Sequence, residues 1–179
     1  MASYELNAFD RRFQAISVVG AIENVAAHTL NVGYWLRDPN QLIVWPEQRL
    51  AHPRQDFLWQ HTCFEVFIGV HGEDFYREIN LSPSQAWQAY AFEEYRYPEN
   101  MPPVMAQDIE LNDLKRTHYG MNVSLDLSSF MLEHKLKWSD LYIGLSAVLL
   151  TSKGEQYYAM QHSSPEPDFH NKRDWLHQY

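Results

Sequence analysis

Two alternating runs of residues, joined by a short turn, constrain the fold of this chain more than any other stretch. They lie within Leu58–Pro83, LWQHTCFEVFIGVHGEDFYREINLSP. One face of the first run carries Phe64, Val66, Ile68 and Val70, and the matching positions of the second are Phe75, Arg77, Ile79 and Leu81. The turn between them, His71–Asp74, contains Gly72. Period-two alternation around such a turn predicts a β-hairpin.

The other face of this hairpin carries carboxylates among apolar residues. Glu65 lies between Cys63 and Phe67 on its own face, and Glu78 belongs to the second run. Charged side chains are rarely fully buried unless they are paired, so this face is either wet or functional. If the register places Glu65 and Glu78 on one face, they form a polar patch beside Tyr76.

The rest of the chain continues the pattern of short strands and turns. Residues 1–12 are an irregular lead-in or an early strand. Further strands are predicted at Phe13–Glu23, Thr29–Arg37, Gln41–Trp45, Ala86–Phe92, Val104–Leu111, Tyr119–Leu127, Leu141–Leu150 and Gln156–Gln161. One short helix is predicted at Asp126–Leu136, capped by Asp126, Ser128 or Ser129. Some nine to ten strands and no βαβ alternation predict an all-β fold, an antiparallel β-sandwich of jelly-roll type with one short helix. We expect one domain over residues 1–179.

Charge and cysteine content exclude several classes of protein. The 14 Lys and Arg residues against 23 Asp and Glu residues give a net charge of -9. This balance argues against binding to nucleic acids or to anionic membranes, which requires clustered basic residues. The single cysteine, Cys63, excludes an internal disulfide, and the first residues lack a secretory signal. We therefore expect a cytoplasmic protein.

Three segments resemble a known family: LWQHTCFEVFIGV, FYREINLSPSQAWQAYAFEEYR and PDFHNKRDW. They resemble DOMON-like domains, which are related to family-nine carbohydrate-binding modules. The similarity is strongest to a short bacterial set, some members of which carry the name UDP-N-acetylenolpyruvoylglucosamine reductase. The resemblance implies a β-sandwich with a ligand-binding face. The reductase activity requires a flavin-binding domain, and no comparable segment or glycine-rich phosphate loop is present in this sequence.

The resemblance also implies a binding site. In family-nine modules a sugar lies between two tryptophans, and a glutamate six residues after the first tryptophan binds its hydroxyl groups. Trp59 and Glu65 match that spacing, and Trp175 with Asn171 corresponds to the second tryptophan and its nearby asparagine. The polar residues of the second hairpin strand add Arg77, Glu78 and Asn80. We predict a non-catalytic domain that binds a carbohydrate or sugar-derived small molecule, without a metal or cofactor.

Other functions remain open on the sequence alone. Glu65 and Glu78 could act as a catalytic carboxylate pair in a glycan-processing enzyme. A haem-binding redox module could use Met101, Met105, Met121 or Met160 as an axial ligand, and an exposed sheet edge could bind another protein. His162, Asp168 and His170 do not follow a recognised metal-ligand spacing. The oligomeric state is not set by the sequence.

Overall fold

The computed structural model describes residues 1–13 and 15–179, and most of its regular structure is β-strand. Gln14, inside the predicted strand Phe13–Glu23, lies outside the described residues. The strands are β1 (Ala2–Ala8), β2 (Ser17–Ala26), β3 (Thr29–Arg37), β4 (Cys63–Val70), β5 (Tyr76–Leu81), β6 (Trp87–Phe92), β7 (Glu110–Thr117), β8 (Gly120–Asp126), β9 (Leu141–Thr151), β10 (Gly154–Ala159) and β11 (His177–Gln178). The helices are α1 (Ser128–Glu133) and three 3₁₀ helices, Leu58–Gln60, Trp138–Asp140 and Lys172–Asp174.

The strands form one continuous antiparallel sheet in the order β6-β5-β4-β9-β10-β1-β2-β3-β8-β7, and β11 pairs with β9 beyond the end of β10. Continuity depends on β1, which pairs with β2 along Ala2–Leu6 and with β10 at Asn7 and Ala8. The all-β, antiparallel prediction is confirmed. Because hydrogen bonding runs unbroken through β1, the structure has one curled sheet, and a jelly-roll sandwich of two sheets stays a prediction.

The two halves of this sheet share a single apolar core. Side chains from β2 and β3, such as Val18 and Val32, belong to the same cluster as Phe64 and Val66 of β4. The two halves also meet through the Tyr34 hydroxyl, which donates a 2.6 Å hydrogen bond to the carbonyl of Glu65. Burial of these apolar side chains between the two halves stabilises the curled form of the sheet.

The predicted hairpin is confirmed as β4 and β5, with its apolar face turned toward the shared core. The members of that face in the core cluster are Phe64, Val66, Ile68, Val70, Ile79 and Leu81. Every residue of both strands is buried, including those of the opposite face. The curled sheet therefore has a second covered surface, and Glu65 and Glu78 lie in it.

Helix α1 is shorter than the predicted helix Asp126–Leu136. Helix α1 ends because Lys135 adopts a left-handed conformation, with Leu136 N–H bonded to the Met131 carbonyl as in a Schellman motif. Asp126 lies beside the helix start and accepts the N–H of Ser128, but Leu127 is the N-cap residue.

The strand predicted at Gln41–Trp45 is wrong, because only Ile43 forms an isolated bridge, to Thr151. The Asp38 carboxylate accepts the Ile43 N–H at 2.8 Å and holds this segment in a turn. The strand predicted at Val104–Leu111 is largely wrong as well. Its first half crosses the edge of β6 through one bridge, Tyr90 to Met105, and β7 begins only at Glu110.

None of the helices in the described part of the chain is long and apolar enough to cross a membrane.

Candidate functional site

The candidate site lies on the face of β4, β5 and β6 that points away from the shared core. In the register, Glu65 is opposite Asn80 of β5 and Ser146 of β9, and Glu78 is opposite Phe67. Directly paired residues share a face, so Glu65 and Glu78 point to the same side from neighbouring strands. This is the polar patch beside Tyr76 that alternation alone could only suggest.

A cavity of about 550 Å³ lies above this patch. Its acidic lining consists of Glu65, Glu78, Glu99 and Glu155, and its aromatic lining consists of Trp59, Phe92, Tyr157 and Phe169. Arg96 and His170 also line the cavity. A concave apolar site with a few converging polar groups is the usual form of a small-molecule site.

Trp59 reaches the cavity from the 3₁₀ helix that precedes β4. The preceding residue, Phe57, has a φ of 62° and turns the chain into this helix. The indole makes edge-on contacts with Phe57 at 5.4 Å and with Tyr90 at 5.9 Å between ring centroids. These contacts fix the indole while leaving it half-buried, so that part of the ring can contact a ligand.

The two carboxylates at the floor of the cavity are more than nine-tenths buried, Glu65 at 4% and Glu78 at 5% exposure. Glu65 accepts a hydrogen bond from Ser146 Oγ at 3.2 Å, and Glu78 accepts one from Asn80 Nδ2 at 2.9 Å. Burial raises the pKa of Glu65 well above its usual value, and the nearby Glu78 raises it further. Burial also raises the pKa of Glu78, to about 7.

His170 closes one side of this carboxylate pair as a neutral ring. Its pKa is lowered to about 3, mainly by burial and also by the nearby Arg96. The Tyr76 hydroxyl accepts the backbone N–H of Arg96 at 3.1 Å and lies 2.7 Å from His170 Nδ1, within hydrogen-bond distance. The other ring nitrogen, Nε2, lies 3.4 Å from Glu78 Oε2. Because the imidazole is uncharged, this contact is not an ion pair.

Arg77 is absent from this face, although it was predicted to bind ligand. It alternates with Glu78 and therefore points into the opposite side of the sheet. There its guanidinium pairs with Asp108, with 2.6 Å between Nη2 and Oδ2, and lies 4.9 Å from the Phe130 ring centroid. Arg77 is thus part of the buried structure rather than of the cavity lining.

The predicted residues of the tail are also held by protein contacts. Trp175 is 4% exposed, stacks on Phe67 at 5.1 Å, and donates its indole N–H to the Phe169 carbonyl. Its ring lies over Gly144, where any larger side chain would collide with it. Asn171 accepts the Arg173 N–H at the start of the last 3₁₀ helix. Neither side chain lines the cavity.

Sequence reasoning did not assign several cavity residues to the site, namely Phe92, Arg96, Tyr157, Phe169 and His170. The sequence of Glu93–Pro103 is rich in turn-forming residues, yet Arg96 from this segment lines the cavity with the carboxylates. Tyr157 comes from β10, on the far side of β9 from β4. No local pattern marks these positions, because only the curling of the sheet and the path of the tail bring them together.

Among residues 1–13 and 15–179, one group could hold a metal ion, Asp108, Glu133 and His134. This group lies apart from the cavity lining, and the Asp108 carboxylate is already paired with Arg77. The residues His162, Asp168 and His170 have other partners in the structure. Asp168 pairs with Arg96 at 3.0 Å, and His162 Nε2 lies 2.9 Å from the Asn7 carbonyl.

The fold and site together define an antiparallel β domain with an acidic and aromatic cavity that is open to solvent and has a buried floor. A scan against protein-family models finds no match to the sequence, and a search of curated proteins finds none either. A search of solved structures finds a similar crystal structure, that of a "putative carbohydrate-binding protein" from Bacteroides uniformis. The TM-score is 0.66 at 11% identity, over 98% of this chain and 84% of the other. At this identity the likeness is one of fold.

Proposed function

We propose that the chain is a non-catalytic binding domain that holds a carbohydrate or sugar derivative in the cavity above β4, β5 and β6. The observation that carries the proposal is the half-buried Trp59 indole beside the two buried carboxylates, Glu65 and Glu78. The indole supplies a flat apolar surface for the C–H face of a sugar ring. The carboxylates supply hydrogen-bond acceptors for its hydroxyl groups.

The balance of donors and acceptors around the carboxylates supports a ligand rich in donors. Within the described chain, the carboxylate of Glu78 accepts one hydrogen bond, from Asn80, and the carboxylate of Glu65 accepts one, from Ser146. A carboxylate has two oxygens with about four acceptor positions, so both groups have positions left for the hydroxyl groups of a sugar in the cavity.

The relationship to DOMON-like domains and family-nine modules is part of this proposal. Trp59 and Glu65, which match the family spacing, line one cavity, and this supports the relationship. The second aromatic ring that stacks on the sugar must differ from the tryptophan of the family arrangement, because Trp175 is packed on Phe67. In its place we propose the cavity-lining rings of Tyr157 and Phe169. The fold neighbour described as carbohydrate-binding is consistent with this assignment.

Titration calorimetry with a panel of mono- and disaccharides tests the proposal. Trp59→Ala should weaken binding by about tenfold, because the loss of ring stacking and burial costs about 1.4 kcal/mol. Glu65→Ala should weaken binding similarly while the thermal transition is retained. Trp35→Ala is the matched control, since Trp35 is an exposed tryptophan of β3 outside the cavity lining. If no sugar binds the wild-type protein, or if Trp59→Ala binds as the wild type does, the proposal is wrong.

A second candidate is a glycan-processing enzyme on the same site. It is favoured by Glu78, whose carboxyl lies near Glu65 in the cavity and has a pKa raised to about 7. A group that titrates near neutral pH is suited to general acid–base chemistry. Chromogenic glycosides would reveal such an activity, and Glu78→Gln should abolish it. Sugar binding without turnover in the wild type would leave the binding function alone.

A further inference from the structure

We propose that the ligand carries a positive charge, so that within the sugar class the site selects an amine-bearing sugar over a neutral or acetylated one. This inference rests on the proposed function and deepens it. An ammonium group would lie between Glu65 and Glu78, in contact with both carboxylates.

The charge balance of the cavity favours a cation. Its lining contains the four carboxyl groups of Glu65, Glu78, Glu99 and Glu155, and Arg96 is its one fixed positive charge among the described residues. Only the carboxyl groups of Glu65 and Glu78 lie at the buried floor, whereas Glu99 and Glu155 are exposed. A cation at the floor would stabilise the charged forms of Glu65 and Glu78 against the burial that favours their neutral forms, so the cavity suits a cation better than an anion.

The nearby cations are already committed to other partners. Arg96 pairs with Asp168 through Nη2 and also donates to the Tyr95 hydroxyl from Nε. Lys172, in the last 3₁₀ helix, donates to the backbone carbonyls of Glu73 and Asp74. His170 is neutral for the reasons given above. The chain therefore supplies no direct cationic partner for the carboxylate pair among its described residues.

The aromatic walls are suited to the same ligand. Trp59, Phe92, Tyr157 and Phe169 line the cavity around the carboxylates. The faces of aromatic rings attract cations as well as sugar C–H groups. A desolvated ammonium that also donates to carboxylates forms charge-assisted hydrogen bonds, which are roughly twice as strong as neutral ones.

Binding of a cation should also release protons. The groups that interact electrostatically with the pair are Cys63, Tyr76, Tyr90, Arg96 and His170, and Tyr34 does so from the core face. Burial raises the pKa of the tyrosines and the thiol and lowers that of His170, so these groups keep one protonation state near neutral pH. In contrast, Glu65 and Glu78 would lose their protons when an ammonium group binds and stabilises the charged carboxylates.

The test is calorimetry at pH 7 with four probes: glucosamine, glucose, N-acetylglucosamine and the non-sugar amine spermidine. We expect glucosamine to bind about tenfold or more tightly than glucose or N-acetylglucosamine. Measured in two buffers of different ionisation enthalpy, glucosamine binding should release protons and glucose binding should not. Glu65→Gln and Glu78→Gln should each remove the preference for the amine, while Glu5→Gln, an exposed carboxylate on β1, should retain it.

The four probes separate failure of the inference from failure of the proposed function. If neutral sugars bind as tightly as glucosamine, the cation inference is wrong and sugar binding stands. If spermidine binds and no sugar does, the site is a cation site and the proposed function is wrong. If none of the four binds, both are overturned.

Discussion

The two faces of strand β5 treat buried charge in opposite ways. On the core face, Arg77 forms a bidentate ion pair with Asp108, with both side chains about a tenth exposed. On the cavity face, Glu78 is equally buried but meets the amide of Asn80 and a neutral His170. A buried charge that the protein neutralises belongs to the structure. A buried charge left facing a cavity is available to a ligand.

The largest effect is expected when the Arg77–Asp108 ion pair on the core face is broken. Arg77→Met should destabilise the protein by about 3–5 kcal/mol, because it leaves the Asp108 carboxylate buried without a partner. Urea denaturation measures the loss. The double variant Arg77→Met/Asp108→Leu should recover a large part of it, since it removes both charges. If Arg77→Met lowers the free energy of unfolding by less than ~1 kcal/mol, the ion pair on the core face does not contribute to stability as expected.

The next effect concerns the cavity side and its pH dependence. The pKa of Glu78 is raised from 4.5 to about 7 in the folded protein. The folded state therefore holds its proton more tightly than the unfolded state, and stability should fall as pH rises from about 4.5 to 7, by on the order of 2 kcal/mol. Thermal unfolding across this range measures the slope. Glu78→Gln should reduce the slope, and the part that remains should come from Glu65, whose pKa burial also raises. A wild-type stability that rises over this range would contradict the prediction.

The smallest effect is expected at the hydrogen bonds that hold the cavity side. Tyr76→Phe removes the hydroxyl between His170 and Arg96 and should cost about 1–2 kcal/mol, together with part of the ligand affinity. Tyr158→Phe is the matched control, because its buried hydroxyl bonds the Ile16 carbonyl away from the cavity. The control should lose comparable stability and retain binding. Equal losses of binding in both variants would remove the special role of the Tyr76 contact.

The sequence predicts the central part of this comparison because it depends on strand periodicity. Alternation in β4 and β5 is enough to identify the hairpin, its core face, and Glu65 as a carboxylate in an unusual position. The same alternation places Arg77 and Glu78 on opposite faces. The prediction that both bind ligand conflicted with it, and the structure follows the alternation.

The cavity walls depend instead on contacts between distant segments. His170 and Phe169 come from the tail, and Arg96 comes from the turn after β6. No pattern within either segment indicates that they meet, because tertiary packing alone decides it. The packing of Trp175 has the same origin: it depends on Gly144, a residue of β9 that offers room for the indole. Register between distant strands cannot be read from a single sequence.

The short pairing of β11 with β9 makes one wall of the site more weakly anchored than its floor. His177 and Gln178 pair with Ile143 and Tyr142 and so fasten the end of the segment that carries Phe169 and His170. The floor lies in β4 and β5, each of which pairs with a neighbouring strand on both sides. Local opening is easiest where few backbone hydrogen bonds hold a segment. Amide protons of the tail should therefore exchange with solvent sooner than those of the floor, and a bound ligand that contacts both should slow the exchange in the tail more.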